Sequence, residues 1–78
     1  MDKDKFNKIT SEILKIKPSE IKDTLTPKEI PDWDSMNYLL FVAELEKQFD
    51  VSFSVDEVLN ANSLGDVKKI LKSKGIGL

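Results

Sequence analysis

The chain has 78 residues and a formal net charge of −2, with 12 lysines, 14 acidic residues and no arginine, cysteine or histidine. This length predicts one small domain over residues 1–78, and the missing residue types exclude disulfides, thiolate nucleophiles, imidazole bases and the usual zinc ligands. The N-terminus is charged, no apolar run approaches the roughly 18 residues of a membrane span and there is no basic stripe, so we expect a cytoplasmic protein with no signal peptide and no nucleic-acid partner.

The first predicted element is a helix of about 12 residues near the N-terminus. Its apolar face recurs at intervals of three and four residues: Phe6, Ile9, Ile13 and Ile16, with Leu14 beside them. Asp2 or Asp4 is suited to cap this helix. Pro18 is expected to end it, because the residue before a proline is pushed away from helical angles.

Residues 18–34 are predicted to form a long connection that has three prolines and no clear period. Its scattered apolar side chains are expected to pin it onto the helices: Ile21, Leu25, Ile30 and Trp33. A loop of this length is uncommon in so small a domain and is often functional.

The second predicted helix spans residues 35–49 and is the most apolar stretch of the chain. Asp34 or Ser35 begins it, since a short polar side chain there accepts backbone N–H groups, and Asp50 can adopt the left-handed turn that ends it. A step of about 100° per residue gives this helix an ordinary core stripe of Tyr38, Leu39, Val42, Leu45 and Phe49.

The same helix has a second apolar strip, Met36, Leu40 and Ala43, which lies off the centre of the first. So wide an apolar arc is typical of a helix that is either fully buried or docked to something else. Two outcomes are therefore open: the other helices cover this strip, or it contacts a partner.

Two further helices are predicted from their capping signals. Ser54 and Glu57 have the spacing of a capping box and predict a short helix at about 55–60. Ser63 opens a last helix, which Gly75 ends. No segment alternates with a period of two for long enough to make a sheet, so the fold class is predicted to be all-α, a small bundle of three main helices and one short helix.

The charges are unevenly distributed along the chain. Residues 32–57 hold seven acidic side chains and one lysine, whereas residues 58–78 hold four lysines and one aspartate. A basic partner would be steered toward the middle segment, although a solvated polar face explains such a run equally well.

One serine stands out at the start of the apolar helix, in Asp32-Trp33-Asp34-Ser35-Met36. A serine at a helix start is usually a cap. Here it follows an aspartate already suited to capping, and it leads into a helix with more apolar surface than a core needs. This combination favours a serine held out for modification, with a docking surface beside it.

These residues resemble an acyl carrier protein of the phosphopantetheine-binding family. The resemblance begins with Asp34-Ser35-Met36 and runs through Leu39, Val42, Glu44-Leu45-Glu46 and Phe49, then Val51, Phe53 and Ser63-Leu64-Gly65-Asp66. It covers nearly the whole chain, from Phe6 to Leu71, and it implies an acyl-carrier-like bundle.

The resemblance also implies a covalent cofactor, 4′-phosphopantetheine from coenzyme A, attached to the Ser35 hydroxyl by a separate phosphopantetheinyl transferase. The thiol of this arm would hold an acyl or aminoacyl group as a thioester. Asp34 matches the family's aspartate before the serine, and is expected to cap the helix and to be read by the transferase. The other implied partners are a loading ligase and a downstream transferase or synthase of lipid or secondary-metabolite biosynthesis. The residues expected to bind partners are Met36, Leu40, Ala43, Glu44 and Lys47.

Three departures from the commonest family pattern favour a free-standing carrier outside housekeeping fatty-acid synthesis. Met36 replaces the commoner leucine, Trp33 stands where those carriers usually have glycine, and Leu40 stands where they tend to have glutamate. The cargo stays open among fatty acyl, aminoacyl, D-alanyl and polyketide groups. If the cargo is buried, the expected space lies between the second and third helices, near Leu39, Val58 and Leu59.

Two functions other than a carrier are open to this chain. The chain could be a non-carrier helical interaction domain that binds partners through the second-helix face alone. It could also be an enzyme, but no base, nucleophile pair or metal constellation supports catalysis, so we expect no catalytic or metal-binding residues. The apolar strip is small for a stable dimer, and a monomer is expected.

Overall fold

The computed structural model describes residues 2–78. These residues contain four α-helices and one short 3-10 helix. The α-helices are α1 (Asp2–Ile13), α2 (Ser35–Phe49), α3 (Val55–Asn60) and α4 (Leu64–Ser73), and the 3-10 helix is Pro18–Glu20. These residues contain no strand, which confirms the all-α class with three main helices and one short one. Within the same range, no helix is long and apolar enough to cross a membrane.

The core is built mainly from side chains of α1, α2 and α4, with Leu14 just beyond α1 and Ile30 and Trp33 of the long connection added to them. The rings of Phe6 and Phe41 meet edge to face, with 5.9 Å between their centroids. The fully buried apolar side chains are Phe6, Leu14, Phe41, Leu45, Leu64, Val67 and Leu71. Each contributes about 1.5–3 kcal/mol to folding relative to an exposed position, so these side chains supply much of the stability of the bundle.

The structure corrects the predicted end of α1. This helix ends at Ile13, well before Pro18, because Lys15 takes a left-handed conformation with φ of 56°. Ile16 therefore lies outside the helix, although it still packs against the core. Pro18 instead begins the 3-10 helix, where its missing N–H costs nothing.

The predicted caps of α1 are also corrected, because Asp2 and Asp4 both lie inside its first turn rather than ahead of it. The Asp2 carboxylate accepts a hydrogen bond from the backbone N–H of Gly77 at 3.1 Å, which ties the two ends of the described chain together. Thr10 was absent from the predicted core, yet it is buried with its hydroxyl donating to the Phe6 carbonyl at 2.8 Å.

The long connection is pinned onto the bundle as predicted. Ile30 and Trp33 are buried, and Ile21 and Leu25 pack against the core. The connection is also held through its backbone, since the N–H groups of Leu64 and Gly65 donate to the carbonyls of Leu25 and Asp23 at 3.0 and 2.9 Å. The first N–H groups of any helix need such acceptors, so the start of α4 fixes the loop that precedes α2.

The remaining helix boundaries match the capping signals in the sequence. Ser54 and Glu57 form both hydrogen bonds of a capping box, and the Ser63 hydroxyl accepts from the N–H of Asp66 at 3.1 Å. Asp50 ends α2 in a left-handed conformation, with φ of 54° and ψ of 50°. Gly75, just beyond α4, has φ of 92°, which a residue with a side chain rarely adopts.

The core stripe of α2 differs from the prediction at two positions. Tyr38, Val42, Leu45 and Phe49 face the bundle, but Leu39 is 59% exposed, so its assignment to the core was wrong. Phe41 is fully buried instead. The stripe is therefore centred closer to Phe41 than the pattern suggested, which turns Leu39 out to the solvent.

Candidate functional site

Ser35 is the first residue of α2 and its side chain is exposed. The cap is provided by Asp34, whose Oδ1 accepts from the backbone N–H of Asn37 at 2.8 Å. Asp34 has extended backbone angles, φ of −97° and ψ of 179°, so the chain turns sharply into the helix at this point. Because Asp34 caps the helix, the Ser35 hydroxyl has no structural role there, and the predicted cap is confirmed.

The backbone around Ser35 is held by two hydrogen bonds that the sequence did not predict. The Asn37 side chain donates from Nδ2 to the Asp32 carbonyl at 2.8 Å and closes the turn before the helix. Trp33 is almost fully buried, and its backbone N–H donates to the Ile30 carbonyl at 3.1 Å. The Ser35 hydroxyl is therefore exposed while hydrogen bonds hold the neighbouring backbone, which suits a residue that an external enzyme must reach.

Tyr38 lies one turn after Ser35 and connects α2 to its surroundings. Its ring packs against Trp33 with 5.7 Å between the centroids, and its hydroxyl donates to the Val58 carbonyl in α3 at 2.8 Å. Partial burial raises the pKa of the Tyr38 phenol above its usual value, and the nearby charge of Asp66 raises the pKa further. The phenol is therefore protonated and remains a donor throughout the physiological pH range.

An apolar surface begins beside Ser35 and continues along α2. We call it the α2 face: Met36, Leu39, Leu40 and Ala43. Met36 is 73% exposed and Leu40 is 54% exposed, so the other helices do not cover the strip that the sequence left ambiguous. On α3, Val55 and Leu59 are also exposed, and sequence reasoning did not single out either for this surface.

The two charged residues predicted to bind partners lie further along the same helix. Lys47 is exposed, whereas Glu44 is half-buried and its Oε2 accepts from the Gln48 side chain at 2.6 Å. On a helix of about 3.6 residues per turn, Leu40, Glu44 and Lys47 follow one another on one side. The structure thus gathers all the residues predicted to bind partners along one side of α2, with Ser35 at its end.

The start of α2 suits a phosphodiester on Ser35. The first N–H groups of a helix lack partners within the helix, and the helix dipole favours negative charge at this end. Asp34 engages only the N–H of Asn37. Ser35 and Met36 are exposed at this helix end. No group of three acidic side chains in residues 2–78 is arranged to hold a metal ion.

Comparison with known proteins identifies the family. The sequence pattern of the family described as "phosphopantetheine attachment site" matches residues 4–71, most of the chain. The chain belongs to this family of carriers. No curated protein sequence matches it significantly. Among solved structures, a Mycobacterium tuberculosis protein provisionally described as an acyl carrier protein is 22% identical, with a TM-score of 0.83 over 95% of this chain and 99% of that chain.

Membership of the phosphopantetheine attachment site family has direct consequences. The chain takes a covalently attached 4′-phosphopantetheine group and acts as a carrier that meets modifying and biosynthetic enzymes. Its four helices have the acyl carrier protein fold, as the structural likeness shows.

Two of the three residues predicted to line a cargo space are exposed, and the third, Val58, is half-buried. Leu39 is exposed, and Leu59 is 72% exposed, so neither side chain lines an interior between α2 and α3. Tyr38 occupies that junction instead. The signal for its position was present in the sequence, because Tyr38 follows Ser35 by three residues and was already assigned to the core stripe.

Proposed function

We propose that Ser35 is the residue that bears the phosphopantetheine arm, and that the carrier presents an acyl or aminoacyl thioester on that arm to partner enzymes. The arm supplies a terminal thiol, a nucleophile that this chain of no cysteine does not otherwise have. The observation that carries the proposal is an exposed hydroxyl at the first position of α2, beside an aspartate that already caps the helix.

The local structure supports this assignment in two ways. The Asn37–Asp32 and Trp33–Ile30 hydrogen bonds keep the backbone fixed while the hydroxyl stays accessible. The helix start provides backbone donors and a favourable dipole for the negative charge that a phosphodiester adds.

We further propose that partner enzymes dock on the α2 face, with Met36, Leu40 and Ala43 in the contact and Glu44 and Lys47 at its edge. The partners are a phosphopantetheinyl transferase, a loading ligase and a downstream transferase or synthase. Contiguous exposed apolar side chains are the usual mark of a binding surface, and here they begin beside the modified residue.

The chemistry of this face supports partners that are dedicated to one pathway. Leu40 and Leu39 put apolar rather than acidic groups at its centre, so a partner needs a complementary apolar surface rather than only basic side chains. Such a contact gains most from desolvation at its centre, and charged groups at the rim mainly set the rate of encounter. We propose that residues 1–78 act as one carrier domain and as a monomer.

The decisive experiment measures the intact mass of the chain after incubation with coenzyme A, magnesium and a broad-specificity phosphopantetheinyl transferase. The wild type is expected to gain one phosphopantetheine group and Ser35→Ala none. Ser52→Ala is the matched control, because Ser52 is also exposed but lies outside every helix. It is expected to be loaded like the wild type.

Circular dichroism of the three proteins separates loss of the site from loss of the fold. Ser35→Ala is expected to unfold at nearly the wild-type temperature, because Asp34 still caps α2. Undiminished loading of folded Ser35→Ala would refute the assignment. Absence of loading in every variant, with an active control carrier, would favour an interaction domain that uses the α2 face alone.

A further inference from the structure

Tyr38 joins three parts of the bundle directly below Ser35. Its ring lies against Trp33 at the end of the long connection, and its hydroxyl donates to the Val58 carbonyl of α3 at 2.8 Å. Asp66, at the start of α4, is close enough for its charge to raise the pKa of the phenol, although burial has the larger effect. One side chain of α2 therefore links the end of the long connection to α3.

Helix α2 fixes the position of Tyr38 relative to Ser35. Residues three apart on a helix are neighbours on its surface, so Tyr38 is the next side chain below Ser35 on the side that faces the core. The residue four positions on, Leu39, points to solvent instead. An extended chain that left Ser35 and turned inward between α2 and α3 would meet the Tyr38 ring first.

The interior beyond Tyr38 is occupied. Phe41 and Leu45 of α2 and Leu64 of α4 are fully buried in the core. Protein cores are packed as densely as organic crystals, so an alkyl chain can enter only where side chains move aside. Moving Tyr38 would break its hydrogen bond to Val58 and its contact with Trp33 together.

We propose that Tyr38, held between Trp33 and the Val58 carbonyl, closes the route from Ser35 into the bundle and makes this carrier selective for short or polar acyl groups that stay at its surface. The inference rests on the proposed function of Ser35, and it assigns to Tyr38 a role in selecting cargo rather than in loading it. A long alkyl chain would remain outside, where its apolar surface stays in contact with water and the α2 face.

The test compares carriers that bear a short and a long acyl group. The phosphopantetheinyl transferase would load the wild type from acetyl- and octanoyl-coenzyme A thioether analogues, which do not hydrolyse. The melting temperature and the carbon-13 methyl spectra of Leu45, Leu64 and Val67 then report whether the chain has entered the core. For the wild type, we expect melting temperatures within about 1 °C of each other and unchanged core methyl signals.

Two variants test the role of Tyr38 itself. Tyr38→Ala opens space beside the Trp33 ring, which an alkyl chain can fill. The octanoyl form of this variant is expected to melt at least about 4 °C above its acetyl form, with shifted core methyl signals. Tyr38→Phe is the matched control, because it keeps the ring and loses only the hydrogen bond to the Val58 carbonyl. The difference in melting temperature between its octanoyl and acetyl forms should be smaller than in Tyr38→Ala.

A second attachment chemistry makes the result independent of the transferase. The chain has no cysteine, so Ser35→Cys provides a single thiol that can be alkylated with an arm of pantetheine length ending in a two- or eight-carbon group. If the transferase fails to load Ser35, the proposed function is wrong, and these conjugates still report on Tyr38. Two results would overturn the inference. One is a higher melting temperature for the eight-carbon than for the two-carbon conjugate when Tyr38 is present. The other is equal melting temperatures of the two conjugates in folded Tyr38→Ala.

Discussion

Replacing Asp34 by alanine should destabilise the bundle by removing the cap of α2. The Asp34 carboxylate accepts from the Asn37 N–H at 2.8 Å, and loss of such a cap costs about 1 kcal/mol. Loss of its negative charge beside the positive helix end adds about 0.3–1 kcal/mol. The expected total is about 1.5 kcal/mol, and in a domain of this size each kcal/mol lowers the melting temperature by about 4–8 °C.

Asp34→Asn separates the two parts of this effect. It keeps an oxygen that can accept from Asn37 and removes only the charge, so we expect a loss of about 0.3–1 kcal/mol that shrinks in high salt. Asp32→Ala is the matched control, because it removes an equal charge two residues away. It leaves intact the Asp32 carbonyl that accepts from the Asn37 side chain.

The assay is thermal and urea unfolding of each variant, followed by its rate of loading by the transferase. Alanine at position 34 with wild-type stability would refute the capping argument, and so would equal losses for Asp34→Ala and Asp34→Asn. Slow loading of a well-folded Asp34→Asn would show that the transferase reads the charge of Asp34 directly.

Three other changes test the loop, the charges and the α2 face. Gly65→Ala should lower the free energy of unfolding by about 1 kcal/mol in urea titrations despite the better helix propensity of alanine, because its Cβ would lie 3.1 Å from the Asp23 carbonyl oxygen. The hydrogen bond from the mostly buried Lys68 side chain lowers the pKa of the exposed Asp23 below its usual value, so the pair stabilises the fold above the usual carboxyl pKa and stops doing so as the pH falls through the lowered pKa. Asp23→Asn should therefore cost up to about 1 kcal/mol at pH 7, and melting curves should show the difference fading as the pH falls through the lowered pKa. Leu40→Glu should weaken binding of the loading enzyme about tenfold at an unchanged melting temperature; an equal loss with Ser19→Glu, which adds the same charge elsewhere on the surface, would contradict docking at Leu40.

The boundaries of α2, α3 and α4 were predictable because their signals are local. A capping side chain and the N–H groups that it accepts lie within one turn of each other, so Asp34, Ser54 and Ser63 could be read directly from the sequence. The end of α1 was not predictable in this way. Lys15 carries no glycine-like signal for its left-handed conformation, which the packing of Leu14 and Ile16 on the core must impose.

The faces of α2 were predicted only in part, because a helix that is apolar over a wide arc does not show which side is covered. The pattern placed Leu39 in the core and left Phe41 out of it. The position of α1 decides between them, since the ring of Phe6 meets Phe41 and no helix covers Leu39.

The sequence by itself determined where α2, α3 and α4 begin and singled out Ser35 beside a possible capping aspartate, since each of these signals depends on side chains within a turn of one another. Tertiary structure alone decided that Met36 and Leu40 stay exposed and that Tyr38 bridges to Val58 twenty residues away. Such contacts depend on how separate helices approach, and a period within one helix contains no information about the position of the next.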